Sequence, residues 1–314
     1  MMKGNEMRTL VTGGTGMVGS AFKKHEPDGV IRVGSSDYDL LDANQCFRMI
    51  MEVRPEAIIH LAGRVGGIKG NIDRPGDFYR DNIVINTNVL ETARILEVPK
   101  VLSLLSTCVY PEEVRYPLTE NQIHNGPPHA SNFSYAYAKR MLDVQSRAYR
   151  NQYGCNFITA VPNNLYGPND NFDLDEGHVI PAMIRKIYEA KCSGGPVKMW
   201  GSGTALREFT YSEDIADVLM YTLRHYEGST PINIGFTEET SIRALAETLC
   251  SLLGYHGKLQ WDDTMPTGQH KKPSSNRNLL ELGWNASRYT RLCDGLKFTC
   301  DWFVKNYPNV RGVE

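Results

Sequence analysis

Along residues 8–167, short apolar runs alternate with longer amphipathic stretches. The runs 8–12, 30–33, 57–63, 101–105 and 157–161 are rich in Val, Ile, Leu and Ala, and each is bounded by Gly, Ser or Pro. Runs of that length and composition predict buried strands. The stretches 17–22, 82–96 and 135–153 lie between them and predict helices. In 82–96, Ile83, Asn86, Leu90, Ala93 and Leu96 mark one stripe, and Gly154 ends 135–153 as a helix C-terminus. Leu40-Leu41-Asp42 opens a further helix. Strand and helix alternate, which predicts an α/β fold: a Rossmann-type, doubly wound parallel sheet.

After Pro168 the pattern changes. A polar loop (169–177) leads to a helix over 178–190, and then to Val197-Lys198-Met199-Trp200-Gly201-Ser202-Gly203. Arg207 to Tyr211 runs into a helix over 212–226, Ile232-Asn233-Ile234-Gly235 is a strand, and 241–253 and 291–307 are helices. The stretch 262–275 reads as an irregular basic loop. These elements predict a smaller, discontinuous C-terminal substrate domain of about 168–203 plus 237–314. The cofactor domain is then 8–167 plus about 204–236.

Composition narrows the function classes. A net charge of −2 with 22% charged residues argues against nucleic acid, which needs a clustered positive field. No apolar run is long enough to cross a membrane, and the start lacks the pattern of a signal peptide. The seven cysteines are scattered, odd in number and without metal-like pairing, so they read as reduced thiols in a cytoplasmic protein with no metal site. Residues 1–7 form a short polar lead-in expected to be disordered.

The first strand runs directly into Gly13-Gly14-Thr15-Gly16-Met17-Val18-Gly19 and a helix. Glycines at that spacing allow a tight turn and close approach of a pyrophosphate, so this segment predicts dinucleotide binding. The second strand ends in Gly34-Ser35-Ser36-Asp37. An acidic residue near this strand end often holds the ribose of NAD. Ser35 and Ser36 instead leave room and hydroxyl donors for a 2′-phosphate, which points to NADP(H). Asp42 reads equally as a helix N-cap or an adenine contact. Leu61-Ala62-Gly63 ends the third strand in residues small enough to lie beside a cofactor, and His60 reads as structural.

Tyr135 and Lys139 are four residues apart, which places them on one helix face. A free tyrosine titrates near pH ~10, and an ammonium one turn away favours the phenolate, so the pair predicts a phenol lowered into working range as an acid. If the segment Ser106 to Cys108 is extended, alternation puts Ser106 and Cys108 on one face.

In this order, the glycine turn, the strand-end serine and Tyr-x-x-x-Lys resemble the extended short-chain dehydrogenase/reductases. The likeness narrows, over residues 8–307, to the GDP-L-fucose synthase family. It is carried by Ser106-Thr107-Cys108-Val109-Tyr110-Pro111, the run His124-Asn125-Gly126-Pro127-Pro128-His129, Gly177-His178-Val179-Ile180-Pro181, and Trp200-Gly201-Ser202-Gly203 with Arg207. Cys108 with His178 is the discriminating pair.

The resemblance implies 3,5-epimerisation and NADPH-dependent 4-reduction of GDP-4-keto-6-deoxy-D-mannose to GDP-L-fucose. It implies Cys108 as base and His178 as acid, with Ser106 and Tyr135 on the C4 oxygen and Lys139 on the nicotinamide ribose. On the cofactor side it places residues 13–19 (Gly13, Gly14, Thr15, Gly16, Met17, Val18, Gly19), Ser35, Ser36, Asp42, Leu61, Ala62, Gly63, Pro162, Asn163, Asn164, Leu165 and His178. Asn164 would also touch the sugar. Lys186, Arg207 and Lys272 match positions that hold the GDP-sugar, and guanidinium suits bidentate phosphate contact. Trp200 matches a substrate contact, or else is a core or inter-domain aromatic.

There are departures. Thr15 stands where bacterial members carry arginine, Gly63 where alanine is usual, and Thr267 where bacterial members have an acidic contact. A related GDP-ketosugar enzyme such as a GDP-colitose synthase is the nearest rival reading. By analogy with the superfamily, the helices around 82–96 and 135–153 would form a homodimer as a four-helix bundle.

Overall fold

The computed structural model describes residues 7–264 and 270–313. Thr267 and most of the lead-in therefore lie outside the described residues. In chain order the elements are β1 (Thr9–Thr12), α1 (Met17–Ala21), β2 (Val30–Val33), α2 (Ala43–Val53), β3 (Ala57–His60), α3 (Ile68–Asp73), α4 (Pro75–Ile95), β4 (Lys100–Leu104), α5 (Phe133–Tyr153), β5 (Phe157–Pro162) and β6 (Asn164–Tyr166). There follow α6 (Val179–Ser193), β7 (Val197–Trp200), β8 (Leu206–Tyr211), α7 (Ser212–His225), β9 (Ile232–Ile234), β10 (Glu239–Ser241), α8 (Ile242–Leu253), β11 (Leu259–Asp262), α9 (Arg277–Glu281) and α10 (Leu292–Asn306).

The main sheet has six parallel strands in the order β2-β1-β3-β4-β5-β9. Helices cover both of its faces, which is why its central strands are apolar throughout rather than alternating. One face packs Leu10, Ile58 and Val101 against Met49 of α2, Leu90 of α4 and Leu142 of α5. The other packs Val11, Ile59 and Ile158 against Ile215 and Leu219 of α7. Winding reverses between β1 and β3, and ligands of such sheets lie beyond the strand carboxyl ends at that crevice.

A second core gathers Phe172, Ile184, Met199, Phe209, Leu249 and Phe303 from the later elements. Around it lie a three-stranded sheet, β10-β8-β6, and a parallel pair, β11-β7. The stretch 204–236 is divided between the two units. Its β9 pairs with β5 in the main sheet, while its β8 lies between β10 and β6.

Several local expectations are revised. The helix expected from 82 begins at Pro75, which occupies the first helical turn, where a missing N–H costs nothing. Residues 107–109 form a 3₁₀ turn with the Ser106 hydroxyl capping the Cys108 N–H at 3.4 Å, so the extended Ser106–Cys108 alternation does not hold. Asp42 caps α2 by accepting from the Asn44 N–H at 2.8 Å.

Candidate active site

A cavity of about 770 Å³ opens at the β1/β3 crevice. Its floor is the glycine turn. A Cβ at Gly13, whose φ is +69°, would meet the Ala62 nitrogen at 2.9 Å. One at Gly19 would meet the Gly13 carbonyl oxygen at 2.2 Å, so α1 can approach β1 closely only because position 19 has no side chain. Thr15, Gly16, Met17 and Val18 line the cavity, and no side chain caps α1. A cradle kept open by absent side chains fits the pyrophosphate of a dinucleotide. Gly14 faces the other way, onto Arg32 of β2.

At one end the cavity is bounded by Ser35, while Leu61, Ala62 and Gly63 run along its wall toward Lys139, whose Nζ a Cβ at Gly63 would meet at 3.6 Å. Ser36 is exposed and not part of the lining, and Asp42 is likewise outside it, occupied as the α2 cap. The Asp37 carboxylate turns back to accept the Gly34 N–H at 2.7 Å, so the acid that would oppose a 2′-phosphate is spent on a turn. His60 is fully buried between Thr12 (2.8 Å) and Asn86 (3.0 Å), the structural place expected of it.

At the other end Ser106, Tyr135, Lys139, Asn163, Asn164, Leu165 and His178 meet, with Pro162 beside them. Strand β4 delivers Ser106, α5 delivers Tyr135 and Lys139, and the turn before α6 delivers His178 as its N-cap. Lys139 Nζ donates to the Leu104 carbonyl oxygen at 2.9 Å, and burial lowers its pKa to about 8. Tyr135 departs from expectation. Burial pushes its phenol up, and the nearby Cys108 raises it further. The phenol is therefore held neutral, the form a proton donor needs.

Cys108 does not line the large cavity. It packs with Tyr135, Phe78 and Ala136 just behind it, 8% exposed. Burial raises its thiol, while Ser106, Lys272 and Lys139 oppose the rise. His178 is lowered by burial and then by the Arg311 charge, so at rest thiol and imidazole are both neutral. Of the residues matched to the sugar nucleotide, Lys272 neighbours both Cys108 and Arg207 electrostatically. Lys186 stands over the Trp200 ring with Nζ 5.8 Å from its centroid, and Trp200 is half-exposed rather than core. None of Lys186, Trp200, Arg207 and Lys272 lines the large cavity.

Sequence reasoning missed other residues here. Asp170, Asn171, Glu176 and Arg311 line the same cavity. Arg311 comes from the chain's last residues, which are tied down where the Phe172 N–H donates to the Arg311 carbonyl oxygen and Arg185 donates to that of Gly312. Asp170 is almost wholly buried, one carboxylate oxygen has no partner among the described residues, and burial raises its pKa to about 7. A turn-rich Gly-Pro-Asn-Asp-Asn run was visible in the sequence, but nothing in it showed that it would be covered.

No helix among the described residues is long and apolar enough to cross a membrane, and no group of acidic, His or Cys side chains among them could hold a metal.

Comparison with known proteins agrees with this geometry. The chain is 41% identical over 310 residues to a GDP-L-fucose synthase of Dictyostelium discoideum, covering 96% of this chain and 97% of that one. It is 36% identical to a GDP-L-colitose synthase of Yersinia pseudotuberculosis, covering 96% and 100%. A crystal structure of a GDP-L-fucose synthetase from Naegleria fowleri bound to NADP superposes with a TM-score of 0.90 at 39% identity, covering 96% of this chain and 95% of that chain. Residues 9–235, which hold the glycine turn and the Tyr135–Lys139 pair, match the model of the NAD dependent epimerase/dehydratase family, and the chain belongs to that family.

Proposed function

We propose that this chain is an NADPH-dependent 3,5-epimerase and 4-reductase that converts GDP-4-keto-6-deoxy-D-mannose to GDP-L-fucose. The observation that carries it is the convergence of Ser106, Tyr135, Lys139 and His178 on the cavity that begins at the glycine turn, with Cys108 packed against Tyr135. The similarity to GDP-L-fucose synthases over nearly the whole chain supports the same reading.

The hydrogens at C3 and C5 of a 4-ketosugar are acidic because the C4 carbonyl accepts the charge left behind. Cys108 removes each proton and His178 returns one on the opposite face. With the thiol giving a proton to solvent and the imidazole taking one from it, the neutral resting pair becomes thiolate and imidazolium, and Lys139 and Lys272 favour the thiolate. Ser106 and Tyr135 donate hydrogen bonds to the C4 oxygen and stabilise the enolate, as an oxyanion hole does. NADPH, when bound, supplies the hydride that reduces C4. Tyr135 gives its proton to the resulting alkoxide, and Lys139 holds the nicotinamide ribose. Thr15, Gly16 and Ser35 serve the phosphates of the cofactor, and Asn163 to Leu165 serve its nicotinamide end.

Lys186, Arg207 and Lys272 take the GDP diphosphate, with Trp200 against the nucleotide sugar. The substrate unit is assigned to about 168–203 plus 237–314, and the cofactor unit to 8–167 plus about 204–236, except that β6 and β8 pair in the small sheet of the substrate unit. A homodimer through α4 and α5 is supported by the exposed apolar side chains Tyr79, Phe133, Tyr137 and Met141 on that face. The seven free cysteines support a reducing cytoplasmic location.

The deciding test is product NMR after incubation with NADPH and GDP-4-keto-6-deoxy-D-mannose, run beside the 3-deoxy analogue. GDP-L-fucose is expected. Turnover of the 3-deoxy sugar alone would move the assignment to colitose synthesis, and no NADPH oxidation on either would end it. Light scattering at micromolar protein tests the dimer, and a monomer there removes it.

A further inference from the structure

We propose that Glu208 is a positioning residue that holds the Lys272 loop in register with strand β8, and so sets the spacing of Lys272 and Arg207 for a nucleoside diphosphate. This rests on the functional reading above, which makes those two cations the diphosphate grip.

Glu208 is 2% exposed and no cation pairs with it among the described residues. Its carboxylate is satisfied by donors instead. Oε1 accepts the Ser274 N–H at 3.0 Å, Oε2 accepts the Ser274 hydroxyl at 2.5 Å, and Asn163 Nδ2 approaches Oε2 at 3.5 Å. A buried carboxylate is costly unless its lone pairs are met, and here Ser274 meets both oxygens. The carboxylate therefore fixes one point of the 270–276 segment, two residues beyond Lys272.

Strand alternation places Arg207 and Glu208 on opposite faces of β8. The guanidinium stands on one side and the clamp on the other. Lys272 and Arg207 repel each other, and each is half-buried. Two like charges held close before any anion arrives need an anchor from behind. Backbone bonds between Leu118 and the 273–275 segment (2.8 and 2.9 Å) hold the loop from outside β8, and the Leu206 N–H ties its start to β8 through the His270 carbonyl oxygen at 2.8 Å. The tie at His270 lies before Lys272, and Glu208, through Ser274, is the hold of β8 on the far side of it.

The cofactor turn depends on Glu208 far less. Asn163 is also held by Thr210 at 2.6 Å and by the Phe236 carbonyl at 2.7 Å. A clamp on the loop and a general structural role thus differ in what they change.

The test is Glu208→Gln in the full-length protein. Glutamine keeps the volume but exchanges the charge-assisted bonds to Ser274 for neutral ones of about half the strength, with the Ser274 hydroxyl accepting from the new N–H₂ group. The dissociation constant for GDP by calorimetry, and KM for the GDP-ketosugar, are expected to rise about tenfold, with kcat within about threefold and NADPH affinity within about twofold. Equal loss of GDP and NADPH affinity, or unchanged GDP affinity in a folded variant, overturns the proposal. Should Glu208→Gln fail to fold, Ser274→Ala, which deletes one bond, is expected to weaken GDP by about threefold, and no change there overturns it equally. Wild-type protein that binds no GDP removes the functional reading itself, whereas wild-type binding with an indifferent Glu208→Gln removes only the clamp.

Discussion

Lys139 lies one helical turn beyond Tyr135, with its Nζ 5.9 Å from the phenol ring centroid and bonded to the Leu104 carbonyl oxygen rather than to the phenol. In the proposed reaction the pair works through charge across a short gap, in a site where burial and Cys108 already keep the phenol protonated. Burial brings the amine down to about 8, so its charge is present below that pH and lost above it. Single-turnover NADPH oxidation is expected to fall as pH rises past about 8, and Lys139→Arg, which stays charged, should flatten that limb. A wild-type profile level to pH ~10 would remove Lys139 from this role. Tyr135→Phe should slow the same step by about 10²–10⁴-fold, the usual worth of a positioned proton donor.

Cys108 meets the site from behind Tyr135, and its thiol titrates under the opposing influences of burial and two lysines. Cys108→Ser replaces it with a hydroxyl that cannot ionise near neutrality. Deuterium exchange at C3 and C5 in heavy water should drop by at least about 10²-fold, while NADPH affinity is retained. Unaltered exchange would take Cys108 out of the proton transfers.

The main sheet was legible because its strands are apolar end to end and its glycine turn follows the first of them. Tyr135 and Lys139 needed only helical spacing. What escaped the sequence depends on contacts between distant segments. Pro75 opens α4 with a turn whose Pro and Gly read as loop residues although Phe78 in it is buried, and β10 and β11 are strands by virtue of their partners β8 and β7. Asp170 and Arg311 enter the cavity only because the chain's last residues fold back on residues 172–173, a closure no local pattern encodes. The expected lowering of Tyr135 failed for a related reason. Helical spacing gives the position of the lysine, but desolvation depends on everything packed around the ring.

His60 makes stability depend on pH in a predictable direction. It is fully buried, its Nδ1 accepts from Thr12 while its Nε2–H donates to Asn86, and burial lowers its pKa to about 3. The unfolded chain takes up a proton near pH ~6.5, the folded one only near 3. Stability contributed by the neutral ring is whole above about 6.5 and is lost progressively toward about 3. His60→Gln should cost about 1–3 kcal/mol at pH 7 through its lost hydrogen bond. Its melting temperature should then fall less steeply than wild type between pH 7 and 4.5. Parallel slopes would show that another group governs the acid limb.

Asp170 supplies the opposite sign. Its carboxyl is buried with one oxygen unpartnered among the described residues, and burial raises its pKa to about 7 from an ordinary value of 3.8. For an acid raised on folding, stability is full below about 3.8 and declines as pH rises through about 7, because the folded state must then charge a group that water no longer solvates. Asn171 N–H and the Arg311 charge offset part of that cost without restoring the ordinary value. Asp170→Asn removes the charging step and keeps the shape. The melting temperature of the variant relative to wild type should therefore climb between pH 5 and pH 8, by about 2–4 °C for each kcal/mol of charging cost relieved. The unfolded His60 also titrates inside this window, but it is present in both proteins and cancels in the difference. A difference that stays constant across pH 5 to 8 would mean that the carboxyl ionises freely in the folded protein, and that its second oxygen finds a partner in solution.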